Sequence, residues 1–434
     1  MAARLLRQHA LPVSVFFAAA GFALTGGLQA RTYNAVEVRG AQFIPQENIT
    51  AACEIVPGVS YTAGDMRAVQ DCLMNSGQFR SVRVAGEGET LVVSVEELND
   101  RPGRIELGLA YDSRDGAAAS IYFERYNLFP GTFGAVELKF SEEVRSIQTH
   151  LYTADAFGNV DFGLDTGLRT TEYGDQGFTT KRALIEPYLA WPFDNGARAE
   201  FGLGYRRDEM SDVVPGASAL FSTEAGVVDA PYIRIGLSYS GNPAESGGGG
   251  LVTGLSLSLD QYFWGLGTDQ RTAETRVEAD ARFALSDNTS FLVSLRGGLV
   301  SAESGQSTRA VDRFFIGGAD FRGFAPRGIG PKDGNYFVGA NKYYVTSLEL
   351  QREIDEILGT EPRVGLFADV GSAWGLDDTL GGTIDDSRQI RSSVGLSLTL
   401  DIGSVPVSLF VAKPVDSLPT DDRQSFGVSF STSF

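Results

Sequence analysis

The sequence has few of the side chains that carry most enzyme chemistry. Its 434 residues include two histidines, His9 and His150, and two cysteines, Cys53 and Cys72. A metal site made of several histidines is therefore excluded. Any serine-histidine-aspartate triad would have to use His150, because His9 lies in an N-terminal segment that is expected to be removed. No serine or aspartate motif stands out near His150. We therefore expect no enzyme activity, no metal site and no cofactor.

Positive charge is also scarce. The chain carries 36 lysines and arginines against 55 aspartates and glutamates, which gives a net charge of -19 and an isoelectric point near 4.6. A chain this acidic lacks the basic surface that nucleic acids require, so a DNA or RNA partner is not expected. The length is sufficient for two or more domains.

Long apolar runs are rare, and one of them stands at the N-terminus. Arg4 and Arg7 precede an apolar run over about residues 11–24, and a stretch of small residues ends at Ala30. This pattern predicts a secretory signal peptide over residues 1–30. A membrane anchor is the alternative, and it is disfavoured because the run is shorter than the ~20 residues that a spanning helix needs.

Residues 31–100 predict a small α+β domain. A strand at TYNAVEVRG is followed by a helix from Pro45 through Glu54 and a second helix from about Gly64 to Asn75. The alternating segments FRSVRV and TLVVSVEE then predict two strands with one buried face each. The expected order is therefore strand, helix, helix, strand, strand.

Both cysteines fall on these two helices. An even number of cysteines in an exported chain favours one disulfide, here between Cys53 and Cys72. Closing a loop of that size could contribute about 3 kcal/mol to the free energy of unfolding. Two free buried thiols are the alternative.

Helical periodicity is absent beyond the short linker at residues 101–103, and a period of two replaces it. Apolar side chains alternate with polar or small ones in GRIELGLAYD, DFGLDTGLR, RVEADARFAL and VGLSLTLD. We count about sixteen such segments, each near the ~10 residues that cross a bilayer as a tilted strand. An even number of strands with polar, glycine-rich inner faces is typical of a transmembrane barrel and less so of a soluble sandwich. We therefore predict a mainly β protein with a 16-stranded antiparallel barrel over residues 101–434.

The C-terminal segment SFGVSFSTSF supports a bacterial outer membrane as the location. It places four apolar side chains on one face, and the last residue is aromatic: Phe426, Val428, Phe430 and Phe434. This arrangement resembles the C-terminal signal by which outer-membrane barrels are recognised for insertion.

One loop of the predicted barrel is unusually long. Residues 303–342 separate the eleventh and twelfth strands, on the extracellular side if the N-terminal domain lies in the periplasm, and long ordered loops tend to be functional. On the next two strands, the alternation directs Glu349 and Asp369 into the lumen. Arg322, with Gly323 beside it for a sharp tip, is the best candidate to reach them. The local sequence alone favours the alternative, in which both carboxylates are merely hydrated lumen residues.

The order of these parts resembles the BamA/TamA family of outer-membrane assembly and translocation proteins, also known as the bacterial surface antigen family. The segment RFFIGGADFRGF is similar to the family's signature for its sixth extracellular loop, although Phe321 stands where valine is usual. GANKYYVTSLEL and FADVGSAW are similar to the motifs of the next two strands. The resemblance implies that Arg322, Gly323 and Phe324 form a loop lock with Glu349 and Asp369. It also implies a periplasmic POTRA domain over residues 31–100.

The resemblance further implies a noncovalent function, in which a client strand pairs at the seam between the first and last barrel strands before it enters the membrane. The expected partners are outer-membrane lipid and unfolded outer-membrane or secreted proteins, and a periplasmic or inner-membrane partner is left open. Bacterial assembly factors of this family usually carry three or five POTRA domains, whereas this chain has room for one. A narrower assembly or export role for particular clients is therefore expected instead of a general insertase role. The alternative is a passive pore or surface antigen without insertase activity, which would share the barrel but would not need the POTRA domain or a fixed loop.

Overall fold

The computed structural model describes residues 31–433 with several gaps. The gaps are residues 42–43, 45, 54, 76–78, 98–102, 113–115, 130, 194–195, 242–250, 356–361 and 403–404. The predicted signal peptide, residues 1–30, and Phe434 of the predicted C-terminal signal lie outside the described residues. The chain divides into two compact units between residues 100 and 101.

The first unit contains a three-stranded sheet and two helices. Its elements are β1 (Arg31–Thr32), β2 (Ala35–Arg39), α1 (Gln46–Ala52), β3 (Ser60–Tyr61), α2 (Ala63–Asn75), β4 (Phe79–Glu87) and β5 (Thr90–Glu97). Strand β5 lies in the centre of the sheet, parallel to β2 and antiparallel to β4. Leu73 of α2 and both Leu91 and Val93 of β5 are fully buried in the core. That this unit is a POTRA domain stays a prediction.

Two local features fix the helices of this unit. Thr62 and Asp65 form a reciprocal cap at the start of α2, in which each accepts the backbone N–H of the other. A disulfide joins Cys53 to Cys72 across 19 residues of chain. Cys53 directly follows the last residue of α1 instead of lying within the helix, a difference within the usual uncertainty of helix ends.

The second unit is the predicted barrel. Its elements are β6 (Gly103–Asp112), β7 (Gly116–Phe129), β8 (Thr132–Ser141), β9 (Val144–Thr153), β10 (Asp161–Tyr173), β11 (Phe178–Pro192), β12 (Ala197–Ser211), α3 (Ala219–Glu224), β13 (Gly226–Gly241), β14 (Val252–Trp264), β15 (Thr272–Ser286), β16 (Thr289–Ala302), β17 (Gly323–Phe324), β18 (Lys332–Asp333), β19 (Tyr336–Phe337), β20 (Lys342–Glu353), β21 (Arg363–Trp374), β22 (Arg391–Ile402), β23 (Val405–Asp416), β24 (Arg423–Gln424) and β25 (Phe426–Ser433). The sixteen long strands form one closed sheet, and the pairs β17 with β24 and β18 with β19 belong to the loops. The prediction of a mainly β, 16-stranded antiparallel barrel is confirmed. None of the helices among the described residues is both long and apolar enough to cross a membrane.

Alternating side chains give the barrel its two faces. On β6, Ile105, Leu107 and Leu109 are exposed on the outer face, as expected for side chains that meet lipid. On the inner face, Gly204 of β12 lies opposite Tyr232 of β13, and a Cβ atom at Gly204 would lie 2.1 Å from the ring. Glycine is therefore needed there for the ring to lie flat against the neighbouring strand.

The barrel closes between its first and last strands, and this seam is short. Among the described residues, five residue pairs join β25 to β6, from Ser429 opposite Asp112 to Ser433 opposite Gly108. Another five pairs join β25 to β23. The last strand is therefore held by fewer residue pairs on each side than its longer neighbours. Of the predicted C-terminal signal, Phe426 is exposed and Val428 half-buried on β25, and the side chain of Phe430 lies outside the described residues.

Candidate functional site

The long loop between β16 and β20 is an ordered structure over residues 303–341. It contains β17, β18 and β19, and its apolar side chains form a core with the barrel wall. Phe321 and Phe324 are fully buried in that core, with ring centroids 4.7 Å apart. Since these two residues flank Arg322, their burial fixes where the arginine enters the lumen.

The strands that follow the loop present both predicted carboxylates to the lumen. Asp369 of β21 is 1% exposed and Glu349 of β20 is 8% exposed. Ser347 lies directly opposite Asp369, so both point to the same face of the sheet. The alternation of the two strands thus places two carboxylates and a hydroxyl side by side on the inner wall.

Arg322 contacts all three of these groups. Its Nε and Nη2 donate to Asp369 Oδ2 and Oδ1 at 2.9 and 2.8 Å, and its Nη1 donates to Glu349 Oε2 at 2.6 Å. Nη2 also donates to Ser347 Oγ at 2.7 Å. The backbone N–H of Arg322 donates to Asp369 Oδ2 at 3.2 Å. A bidentate pair of this kind holds the guanidinium in one orientation as well as attracting its charge.

Neighbouring groups complete the environment of the arginine. The guanidinium carbon lies 3.4 Å from the centre of the Phe367 ring, a close cation-π contact. Gly323 has φ 98°, and a Cβ atom there would lie 2.9 Å from the Cβ of Ser393. Glycine is therefore required at this position both for its backbone conformation and for the close approach to β22. Ser397 and Gln351 donate to the second oxygen of Glu349, so this carboxylate is fully engaged.

The structure thus brings together the five residues of the predicted loop lock, Arg322, Gly323, Phe324, Glu349 and Asp369. Phe324 packs in the apolar core of the loop. The hydrated-carboxylate alternative does not describe this geometry, because both carboxylates are occupied by donors from the protein. That the contact acts as a functional lock stays a prediction.

A second anchor of the loop was not predicted from the sequence. Helix α3, in the connection between β12 and β13, carries Glu224, which accepts two bonds from Arg313 at 2.8 and 2.9 Å and one from the backbone of Ala310. Phe221 of the same helix is fully buried against the loop. The partners are 89 residues apart in sequence, and no local pattern connects them. The pair can therefore be identified only from the three-dimensional structure.

Asp312 forms a third anchor, in a buried cluster of charges. Arg206 of β12 donates to it at 2.6 Å, and Arg309 donates at 3.3 Å. Burial alone would raise the pKa of the Asp312 carboxyl, but the positive charges of Arg206 and Arg309 hold it at about 2, below its ordinary value of 3.8. Asp312 therefore stays ionised in the folded protein at pH values where it would be protonated in the unfolded chain.

We predict an acid-dependent loss of stability from Asp312. Because its pKa is lower in the folded state, its contribution of about 2 kcal/mol is complete above pH ~4 and is lost as the pH falls towards 2. Between pH 5 and pH 2, the free energy of unfolding should therefore fall more in the unmodified protein than in Asp312→Asn. Tryptophan fluorescence can follow unfolding in lipid vesicles, because Trp264 lies 4.0 Å from the Arg206 guanidinium. Equal losses in both proteins would contradict this account.

His150 and the paired carboxylates of the loop after β21 have structural partners. His150 contacts Asp165 at 2.5 Å on the lumen wall, beside the rings of Tyr152 and Tyr188. In the loop after β21, Asp377 accepts a backbone N–H from Thr308, so this carboxylate fixes the loop. Within the part of the chain that the structure describes, no group of three or more histidine, cysteine or acidic side chains is placed to bind a metal ion.

Known proteins resemble this chain in sequence profile and in fold. Residues 131–434 match the model of the Omp85 superfamily domain. Among solved structures, the chain is similar to BamA from Haemophilus ducreyi lacking POTRA domains 1-3, with 16% identity, a TM-score of 0.77, and 93% of this chain and 85% of that chain covered. It is also similar to CdiB from Acinetobacter baumannii, with 12% identity, a TM-score of 0.55 and 93% and 74% covered. It is similar as well to CdiB from Escherichia coli, with 12% identity, a TM-score of 0.52, and 96% of this chain and 93% of that chain covered. At these identities the structural likeness shows the fold alone.

Proposed function

The chain belongs to the Omp85 superfamily, and from this premise we propose that it inserts or exports client proteins at the bacterial outer membrane through a laterally opening barrel. The superfamily is one of transport and assembly proteins, not of enzymes, and its barrels lie in the outer membrane. Outer-membrane lipid and client proteins are accordingly its partners.

The observation that carries the proposal is the short seam. Because the described residues of β25 form five residue pairs with β6, parting these strands breaks few backbone hydrogen bonds among them. The freed edges would each offer unpaired N–H and C=O groups to an incoming strand, and every such group is satisfied when the client pairs. A client strand could therefore replace the pairing between β25 and β6 at little net cost in free energy.

The Arg322 contact supplies the second part of the mechanism. It fixes the long loop to β20 and β21 on the inner wall of the barrel. We infer that this contact keeps one part of the wall rigid while the seam opens, so that strain concentrates at the short seam. The role is that of a brace, and it involves no covalent step.

The first unit is proposed to be a POTRA domain that lies in the periplasm. Strand β2 stands at the edge of its sheet and pairs with β5 on one side only among the described strands. An unfolded client could add a strand to this free edge by backbone pairing before it reaches the barrel.

Deleting the chain tests the proposed function. We expect the loss of a small set of barrels or secreted proteins from the outer-membrane and secreted proteomes, restored by the intact chain. The variant Arg145→Ala serves as a control in the same complementation experiment. It removes only an exposed arginine from the outer surface, so it should restore the proteomes fully. Unchanged proteomes would favour the alternative of a passive pore or surface antigen. Single-channel recordings with and without residues 303–340 would then identify a pore.

A further inference from the structure

Arg327 occupies a backbone conformation that residues other than glycine rarely adopt. Its φ is 57°, in the left-handed region, and its side chain is 6% exposed. A glycine would adopt this conformation without the cost that a side chain carries. Backbone strain of this kind persists only where surrounding contacts hold the residue in place, and strained residues are common at functional sites.

The Arg327 side chain reaches two extracellular turns of the barrel. Its Nε donates to the carboxylate of Asp175, at 2.9 Å to Oδ2, and its Nη2 donates to Glu143 Oε1 at 2.9 Å. Asp175 lies in the turn between β10 and β11, and Glu143 lies in the turn between β8 and β9. The backbone N–H of Glu172 donates to the Glu143 carbonyl, so the two turns are themselves joined.

The backbone around Arg327 binds a different part of the barrel. Strand β17 pairs with β24, and Ala325 and Gly328 exchange backbone hydrogen bonds with Asp422, each at 2.9 Å. The segment at residues 422–424 immediately precedes β25, the last strand. It is anchored in turn by a fully buried ion pair between Arg391 and the neighbouring Asp421, with two bonds of 2.9 and 3.2 Å.

The two sets of contacts lie on opposite sides of the seam. Counted from the seam, Glu143 follows the third strand and Asp175 follows the fifth strand on the side of β6, whereas residues 422–424 lie on the side of β25. One short segment of the loop, residues 323–328, therefore links both sides at the extracellular end.

We propose that Arg327 is a positioning residue that latches the seam shut at its extracellular end. Parting β6 from β25 moves the two sets of contacts away from each other, so either the Arg327 ion pairs or the backbone pairs at residues 422–424 have to break. The side-chain pairs are the weaker link, because Asp175 is 42% exposed and water can replace its partner. The latch is distinct from the Arg322 contact, which lies on β20 and β21, and it rests on the proposed function, for which the seam has to open.

The test is backbone hydrogen exchange at the seam of the full chain in lipid vesicles. Arg327→Gly removes both ion pairs and keeps a residue that tolerates the left-handed backbone. Amide exchange over residues 108–112 and 429–433 should become on the order of tenfold faster, because exchange follows the population of the open seam. The paired strands β14 and β15, away from the seam, serve as the internal control and should be unchanged.

Variants of the partners separate a latch from a merely structural role. Asp175→Asn combined with Glu143→Gln should reproduce the faster seam exchange. Aspartate is among the residues that tolerate the left-handed region, so Arg327→Asp should open the seam further by repulsion, and adding Asp175→Arg should restore slow exchange at least in part. A fold defect alone would not be rescued by exchanging the two charges.

Two results would overturn the latch. Unchanged seam exchange in Arg327→Gly would show that the contact only holds the loop. Faster exchange in β14 and β15 to the same degree would show general destabilisation. The measurement needs no client, so it is independent of the proposed function: fast seam exchange with normal client assembly would leave the latch standing and would contradict the proposed use of the seam.

Discussion

Replacing Arg322 by alanine is expected to lower the free energy of unfolding of the barrel by about 3 to 5 kcal/mol. The reason is that the change leaves the carboxylate of Asp369 buried without its positively charged partner. Asp369 is 1% exposed and receives three of its hydrogen bonds from Arg322, so water cannot replace the lost donors without opening the packing around it. The contact between the guanidinium and Phe367 is lost as well.

Denaturant unfolding of the barrel in lipid vesicles measures this effect, and three variants calibrate it. Arg322→Lys keeps the charge but cannot make the bidentate pair, so we expect an intermediate loss. Removing Arg322 and Asp369 together, in Arg322→Ala with Asp369→Ala, should be less destabilising than Arg322→Ala alone, since the Asp369 carboxylate is no longer left buried without its partner and only Glu349 loses one. Arg145→Ala, at an exposed arginine, should change stability little. An effect of Arg322→Ala no larger than that of Arg145→Ala would show that the contact does not brace the barrel.

The inward direction of the two carboxylates could be predicted from sequence for a simple physical reason. Side chains of a strand alternate strictly, so the apolar neighbours of Glu349 and Asp369 determine which face each carboxylate takes. The same rule gave the number of strands. Period-two patterns are local, and local rules suffice wherever the environment differs between the two faces of one strand.

The choice of partner for each arginine could not be predicted in this way. The long loop carries Arg313, Arg322 and Arg327, and each pairs with a different set of carboxylates. Nothing in the local sequence distinguishes them, and the selection of Arg322 depended on Gly323 and on the family resemblance. The pairing is decided by the path of the loop through the lumen, which is a property of the whole barrel.

Replacing both cysteines of the first unit by serine is expected to destabilise that unit by about 3 kcal/mol. The strands and helices of the unit span residues 31–97, and domains of that size bury too little apolar surface to tolerate such a loss easily. Helix α1 has seven residues and would be marginal without its tie to α2, because short helices depend on tertiary contacts. We therefore expect α1 to become mobile first, while the sheet around the buried Leu91 persists longer.

Hydrogen exchange and limited proteolysis of the full chain can measure this loss region by region. Exchange should accelerate over residues 46–75 in Cys53→Ser with Cys72→Ser, and new cleavage should appear there. The barrel contains no cysteine, so reducing the unmodified protein should reproduce the same local change and leave the barrel strands as an internal reference. If exchange over residues 46–75 stayed slow after reduction, the sheet and helix packing alone would hold the unit together. The disulfide would then have little influence on the edge strand β2, where we propose that a client pairs.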